Sequence, residues 1–377
     1  MKYCKLCLDP DTRPNSSFNN KGICIACEYT NKDKIEYDEN ERKIVLNNLI
    51  DKYCSKKSNT FDCIIGVSGG KDSTRQAIWV RDKLKLKPLL VCCAYPPEQV
   101  TESGAKNLSN LINLGFDLII TAPAPVTWKK LLKESFFQGN YLRAPELALY
   151  SSLPQIAIKF NIKLIFWGES PALWNDKKTL KKDPYDGNAL RNSNTLQDCN
   201  LDWMDNFVEN DSKKIPYRYP DHQEFKKNNI QIIFLGWFWN NWSMVNNAKY
   251  SISYGLVAKE EGVSKTGDLY GYSSIDDDWV SINQMIKYYK FGFGTVTDYL
   301  NFEIRYGNIT RKDAIEIVKK YDGLCNQKII KKFCSYIGIS EKKFWEEIDK
   351  KVNKKLFSIS NKKNQHYVPK FIVGKGI

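Results

Sequence analysis

Six consecutive residues, Ser68-Gly69-Gly70-Lys71-Asp72-Ser73, place two hydroxyls, two glycines, an ammonium and a carboxylate where the apolar run Cys63 to Val67 gives way to a helical pattern. A loop opening a helix presents backbone N–H groups to an anion, and the helix dipole favours negative charge there. The glycines allow close backbone approach, Ser68 and Ser73 can donate hydrogen bonds, Lys71 adds charge, and Asp72 offers oxygen to Mg²⁺. Phosphate is the expected guest, contacted by all six residues, with Lys71 and Asp72 in catalytic roles. The spacing is not that of a Walker A loop, where Lys precedes Ser or Thr directly; here Asp72 follows Lys71.

Cys4, Cys7, Cys24 and Cys27 form C-x2-C-x16-C-x2-C, a spacing suited to four thiolates around one zinc ion. Four protein ligands leave the metal no open position, so zinc would stabilise a ribbon and take no part in catalysis. A redox dithiol is the competing reading, and metal analysis separates the two. A second apolar run, Ile162 to Trp167, ends in Gly168-Glu169-Ser170. Gly168 is expected beside the phosphates, and Glu169 either binds Mg²⁺ or substrate or caps the next segment. Arg143 and Glu146 stand just before a helical run, while Lys290, Arg305 and Arg311 occupy the C-terminal third. These cations either meet an anionic substrate or partner or are solvated residues over packed helices.

These residues need a scaffold. From Asp62 the pattern alternates strand and helix, with strands at Cys63 to Val67, Pro88 to Ala94, Asp117 to Thr121, Ile162 to Trp167 and Ile230 to Leu235. The alternation predicts an α/β fold, a parallel sheet with helices on both faces. The expected division is a zinc ribbon and connecting helix over 1–55, the loop-bearing domain over 56–236, and a mostly helical region over 237–377. Thr310 is placed to cap a helix ending at Tyr321, and Pro171 to Tyr219 reads as an insertion or lid. The tail after Ser358 has little to hold it.

The 377 residues are 42% hydrophobic and 27% charged, enough apolar material for a sizeable core. The first residues lack the apolar run of a signal peptide, and no stretch approaches the ~20 residues of a membrane-spanning helix, so a cytoplasmic protein is expected. A net charge of +14 points to polyanionic partners: nucleic acid, nucleotide phosphates or an acidic sugar.

The Ser68–Ser73 run resembles the SGGxDS signature of the PP-loop ATP pyrophosphatases, a resemblance that implies a HUP-like fold, ATP cleavage between the α and β phosphates, and adenylation of a substrate. Members then transfer ammonia, or sulfur to tRNA. The downstream cysteines offer no C-x-x-C for a sulfur relay. Over nearly its whole length the chain is similar to the N-acetyl sugar amidotransferase family of the WbpG/PseA type. The blocks that carry this are the cysteine module, the loop, Phe166-Trp167-Gly168-Glu169-Ser170, and a run through Tyr289-Lys290-Phe291-Gly292-Phe293-Gly294, Thr297-Asp298, Glu303-Ile304-Arg305, Thr310-Arg311 and Tyr321-Asp322-Gly323. Thr295 departs from that pattern, where Arg is frequent. The similarity implies an ATP- and Mg²⁺-dependent conversion of a sugar acetamido group to an acetamidino group for surface polysaccharide, an anionic sugar or sugar nucleotide as substrate, and a separate glutaminase as ammonia source. His222 and His366 are the only histidines, and neither belongs to a recognisable glutaminase motif.

Overall fold

A computed structural model describes the chain except for residues 37, 55–59, 169–182, 194–195, 197–198, 240–241, 261, 264–266 and 361–365. Five parallel strands form the central sheet: β1 (Cys63–Gly66), β2 (Pro88–Cys93), β3 (Leu118–Thr121), β4 (Leu164–Trp167) and β5 (Gln231–Phe234). Their order is β3-β2-β1-β4-β5, so the winding reverses between β1 and β4. At such a reversal a crevice opens at the carboxyl ends of the strands.

Alternate residues divide between two cores, as the period of two in a strand requires. Ile64, Leu89, Val91, Ile165 and Ile232 face one side, and Cys63, Ile65, Leu90, Cys92, Phe166 and Ile233 face the other. The second side is covered by α2 (Glu39–Tyr53), α3 (Lys71–Asp82), α4 (Glu102–Asn113) and α8 (Met244–Ile252). The first lies under α5 (Pro125–Gln138), α6 (Arg143–Phe160) and the C-terminal helices α9 (Val280–Phe291), α12 (Gln327–Ile337) and α13 (Glu341–Asp349). Polar caps fix several starts: Asp38 and Glu41 make a capping box on α2, and Thr310 caps α11 (Arg311–Tyr321) through the Asp313 N–H. The start of α10 (Thr295–Arg305) is capped from a distance, Asp322 accepting from the N–H groups of Gly294 and Val296 at 2.8 and 3.1 Å and from the Thr297 hydroxyl at 2.6 Å.

The cysteine module is a loop closed by bridges Tyr3↔Pro10 and Phe18↔Cys24 and continued by α1 (Ile25–Glu36). It docks on the C-terminal helices: the Leu8 N–H donates to Asn301 Oδ1 at 2.7 Å, Arg13 pairs with Asp9 and Asp298, and Arg311 Nε donates to the Cys7 carbonyl at 3.0 Å. One apolar cluster runs from Leu8 through the sheet to Val373.

The tail is held, contrary to expectation. Strands β6 (Phe357–Ile359) and β7 (Tyr367–Pro369) pair antiparallel, and Tyr367 and Phe371 are buried against Tyr288, Tyr289 and Phe357. Its apolar residues are too sparse for a local pattern and gain burial in large part from a helix about eighty positions earlier. Between Tyr185 and Tyr219 the described residues form short 3₁₀ turns, and Tyr185 accepts a hydrogen bond from the Phe234 N–H, covering the free edge of β5. Part of the expected insertion lies outside the described residues. Among the described residues, no helix is long and apolar enough to cross a membrane.

Candidate functional site

Between β1 and α3 the Ser68–Ser73 loop turns through Gly69 at φ +80°, where a Cβ would also stand 2.6 Å from the Gly104 carbonyl oxygen. Only glycine meets both demands. Gly70 is the N-cap and offers no side chain to the first turn, so the leading N–H groups of α3 remain available to an anion. Ser73 Oγ donates to the Gly70 carbonyl at 3.1 Å and braces the turn.

Asp72 is aimed by its neighbours. Its Oδ2 takes Lys71 Nζ at 2.8 Å, and its Oδ1 accepts from Asn247 Nδ2 at 2.5 Å; Asn247 is in turn held by Arg75 Nη1 at 2.5 Å. Asn247 and Ser251, whose hydroxyl donates to the Lys71 carbonyl at 2.6 Å, both come from α8. Burial alone would lower the pKa of Lys71, but Asp72, Tyr299 and Asp268 outweigh it and hold the ammonium charged.

The loop opens on a cavity of about 170 Å³ over the carboxyl ends of β1 and β4. Ser68, Gly70, Asp72 and Ser73 form one wall; Leu149, Leu153 and Phe166 form an apolar wall; Gly66 and Gly168 lie at the strand ends; Gln76, Tyr95 and Asp276 complete it. Asp276 is raised in pKa chiefly by burial, against a hydrogen bond from Ser68 and the charges of Lys259 and Lys71. Its neighbour Asp277 is pushed to about 7, by burial first and by Asp276 second among the raising influences. This segment is fastened to the start of α4, the Thr101 hydroxyl donating to the Ile275 carbonyl and the Thr101 N–H to the Asp276 carbonyl at 3.2 Å.

The cavity therefore gathers Ser68, Gly70, Asp72, Ser73 and Gly168, while Gly69 and Lys71 do not line it. Glu169 and Ser170 lie outside the described residues. Arg143 stacks over Trp203 at 4.4 Å and donates to Gln138 Oε1 at 3.4 Å, and Glu146 sits one turn further along α6. Lys290 donates to the Gly139 carbonyl at 3.2 Å beside Lys351, which donates to Phe137 at 2.8 Å; both cations meet carbonyls at the end of α5. Arg305 is half-buried within electrostatic reach of Cys7, Cys24, Cys27 and Asp9, at the cysteine module. Tyr95 ends the strand that the family resemblance makes a wall of the nucleotide site, whereas Gln76, Asn247 and Asp276 carry no such signal in the sequence. The run Asp276-Asp277-Asp278 was a visible signal, but nothing local tied it to a loop two hundred residues earlier.

The four cysteine sulfurs of the module lie within 4.8 Å of one another, with Cys4–Cys27 at 4.0 Å and Cys7–Cys24 at 3.7 Å. A tetrahedral zinc with bonds of about 2.3 Å separates its sulfurs by about 3.8 Å, so the donor set fits that ion. The N–H groups of Asp9 and Cys24 point at Cys7 Sγ and Cys4 Sγ at 3.4 and 3.3 Å, and Arg305 offsets the thiolate charge.

Residues 250–369 match the family described as LPS biosynthesis protein WbpG-like, C-terminal domain. No curated protein matches the chain.

Proposed function

We propose, from the premise that residues 250–369 belong to the WbpG-like C-terminal domain family of LPS biosynthesis, that this chain is a PP-loop sugar amidotransferase. It adenylates an acetamido group of a sugar destined for surface polysaccharide and replaces the amide oxygen with ammonia from a separate glutaminase. One observation carries the reading: the Ser68–Ser73 loop is completed by the family-matched region, through Asp276 at Ser68 and through Tyr299 and Asp268 at Lys71.

The chemistry suits these residues. The amide oxygen attacks the α-phosphorus of ATP, an O–P bond forms and pyrophosphate departs. Ammonia then adds to the activated carbon, the C–O bond breaks with AMP taking the electron pair, and one proton leaves the added nitrogen to give the amidinium. The loop N–H groups, Ser68 and Ser73 would hold the phosphates, and Asp72, with Glu169 from the β4 end, would hold Mg²⁺, which supplies charge neutralisation when bound. Lys71 holds Asp72 in place through their ion pair. Sulfur transfer is less well supported: Cys92 and Cys93 are buried, and burial pushes both thiols up to about 12, leaving little thiolate at neutral pH.

Incubation with ATP, Mg²⁺, ammonium and diacetamido sugars should release AMP and give a product lighter by about one mass unit, oxygen replaced by NH; tRNA should not stimulate AMP release. Asp72→Asn should lower the rate roughly 100-fold or more. A sulfur gain on tRNA, or glutamine hydrolysis by the purified chain alone, would overturn the assignment.

A further inference from the structure

A second cavity, of about 880 Å³, opens in the C-terminal third, and every residue lining it falls within 250–369. It has about five times the volume of the loop cavity and lies within the ~300–1,000 Å³ of sites that enclose a whole small ligand. The two cavities share no lining residue. Its walls come from α9, the end of α11, α12, α13 and the tail strand β7.

Five of its lining rings run in continuous contact. Tyr288 meets Tyr289 at 5.7 Å between centroids, Tyr289 meets Tyr367 at 4.9 Å, Tyr367 meets His366 at 6.4 Å, and His366 stacks on Trp345 at 3.5 Å. Gly323 makes room for the first of them: it turns at φ +82°, and a Cβ there would stand 2.3 Å from the Tyr288 ring. Tyr367 is fixed by Asp349, which accepts from its hydroxyl at 3.0 Å. The held tail thus supplies two of the five rings. A row of aromatic side chains along a cavity offers stacking surface to flat heterocycles and to the apolar faces of sugars.

The charges lining the cavity differ in how they are engaged. Asp322 turns its carboxylate to the start of α10, and Glu341 accepts from Gln327 Nε2 at 2.5 Å. Lys319 and Lys320 are exposed, and the Lys319 pair with Glu316 at 2.7 Å is exposed on both sides, so it yields readily to a stronger anion. Two ammonium groups beside a row of rings suit a ligand whose own rings are joined through an anion. A single sugar ring would leave most of the volume unfilled.

We propose that this cavity binds a nucleoside diphosphate, the carrier end of a nucleotide-linked sugar, with base and ribose along the row of rings and the diphosphate at Lys319 and Lys320. The assignment rests on the reading above only for the fate of the attached sugar. Asp322 joins this site to the loop, since it lines the cavity and holds the start of α10, whose Tyr299 stands beside Lys71.

Isothermal titration of the full chain reads the site directly, with UDP, CDP, GDP, UDP-N-acetylglucosamine and N-acetylglucosamine 1-phosphate as probes. A saturating non-hydrolysable ATP analogue with Mg²⁺ keeps the loop occupied throughout. At least one nucleoside diphosphate should bind once per chain, and the sugar phosphate about 10-fold more weakly or worse. Joint replacement Lys319→Glu and Lys320→Glu, at exposed positions, should weaken that binding about 10- to 100-fold, and Trp345→Leu about 10-fold, with the analogue's affinity unchanged. No binding by any of the three diphosphates, displacement by the ATP analogue, equal affinity for the sugar phosphate, or indifference to the lysine reversal would each overturn the proposal. Lysine-dependent diphosphate binding without AMP release from any acetamido sugar would uphold the site and remove the adenylation reading. AMP release with diphosphate binding indifferent to the lysines would sink the site and leave adenylation standing.

Discussion

Asp277 is 2% exposed, with one carboxylate oxygen accepting from Gln99 Nε2 at 2.8 Å and the other from the Trp279 N–H at 2.7 Å. The charged and titratable groups around it are Asp276, Lys259, Tyr95 and Tyr141. Its pKa of about 7 lies above the ~3.9 of an unfolded aspartate, so the folded state holds the proton more tightly. The sign follows: this stabilisation is fully present below about pH 4 and is lost as pH rises through about 7, amounting to as much as roughly 4 kcal/mol. Asp277→Asn carries no titration and turns an N–H toward Gln99 Nε2. Its melting temperature should be below wild type at pH 4–5, with the deficit shrinking toward pH 8; a deficit constant with pH would refute the assignment. None of this could be read locally, because burial, the largest influence, comes from distant segments. The cysteine quartet and the Ser68–Ser73 run were legible because each keeps its chemistry within a few residues or a fixed spacing.

At the scale of elements, the turn from β1 into α3 is the joint that everything else serves. Gly69→Ala would force a Cβ into positive φ and against the Gly104 carbonyl oxygen, at a cost of about 1–3 kcal/mol. Thermal denaturation should show that loss, and a larger loss of ATP binding should accompany it, since the loop would have to open to accommodate the methyl. Unchanged ATP affinity would separate the loop from the nucleotide. Helix starts with side-chain caps, such as Thr310, were foreseen because the cap is the adjacent residue. The start of α10 was not, since its carboxylate, Asp322, is supplied by a residue nearly thirty positions later.

Across the whole molecule, the N-terminal module and the C-terminal helices act together on the loop. Helix α10 carries Asp298 and Asn301, bound by Arg13 and Leu8 of the module, and also Tyr299, which faces Lys71. Arg13→Ala would remove a cation from beside buried Asp9 and leave Asp298 paired with Lys287, a loss of about 3 kcal/mol readable by chemical denaturation. Removal of zinc should be more severe, since metal binding and folding of such a module are coupled. One zinc per chain should be found by elemental analysis, and chelation should lower both the melting temperature and ATP affinity. Full retention of ATP affinity in the metal-free chain would break the link through α10.

The sequence by itself determined what depends on neighbours in the chain: the apolar strands of a parallel sheet, the glycine turn built for an anion, and the spacing of four thiolates. Only the tertiary structure decided which side chains surround that turn. Asp276, Asn247 and Tyr299 reach it by burial and by packing of segments far apart in sequence. Arg305, which the sequence leaves between a substrate contact and a solvated helical cation, lies half-buried at the cysteine module, where the sulfurs and Asp9 supply the charge that favours its guanidinium.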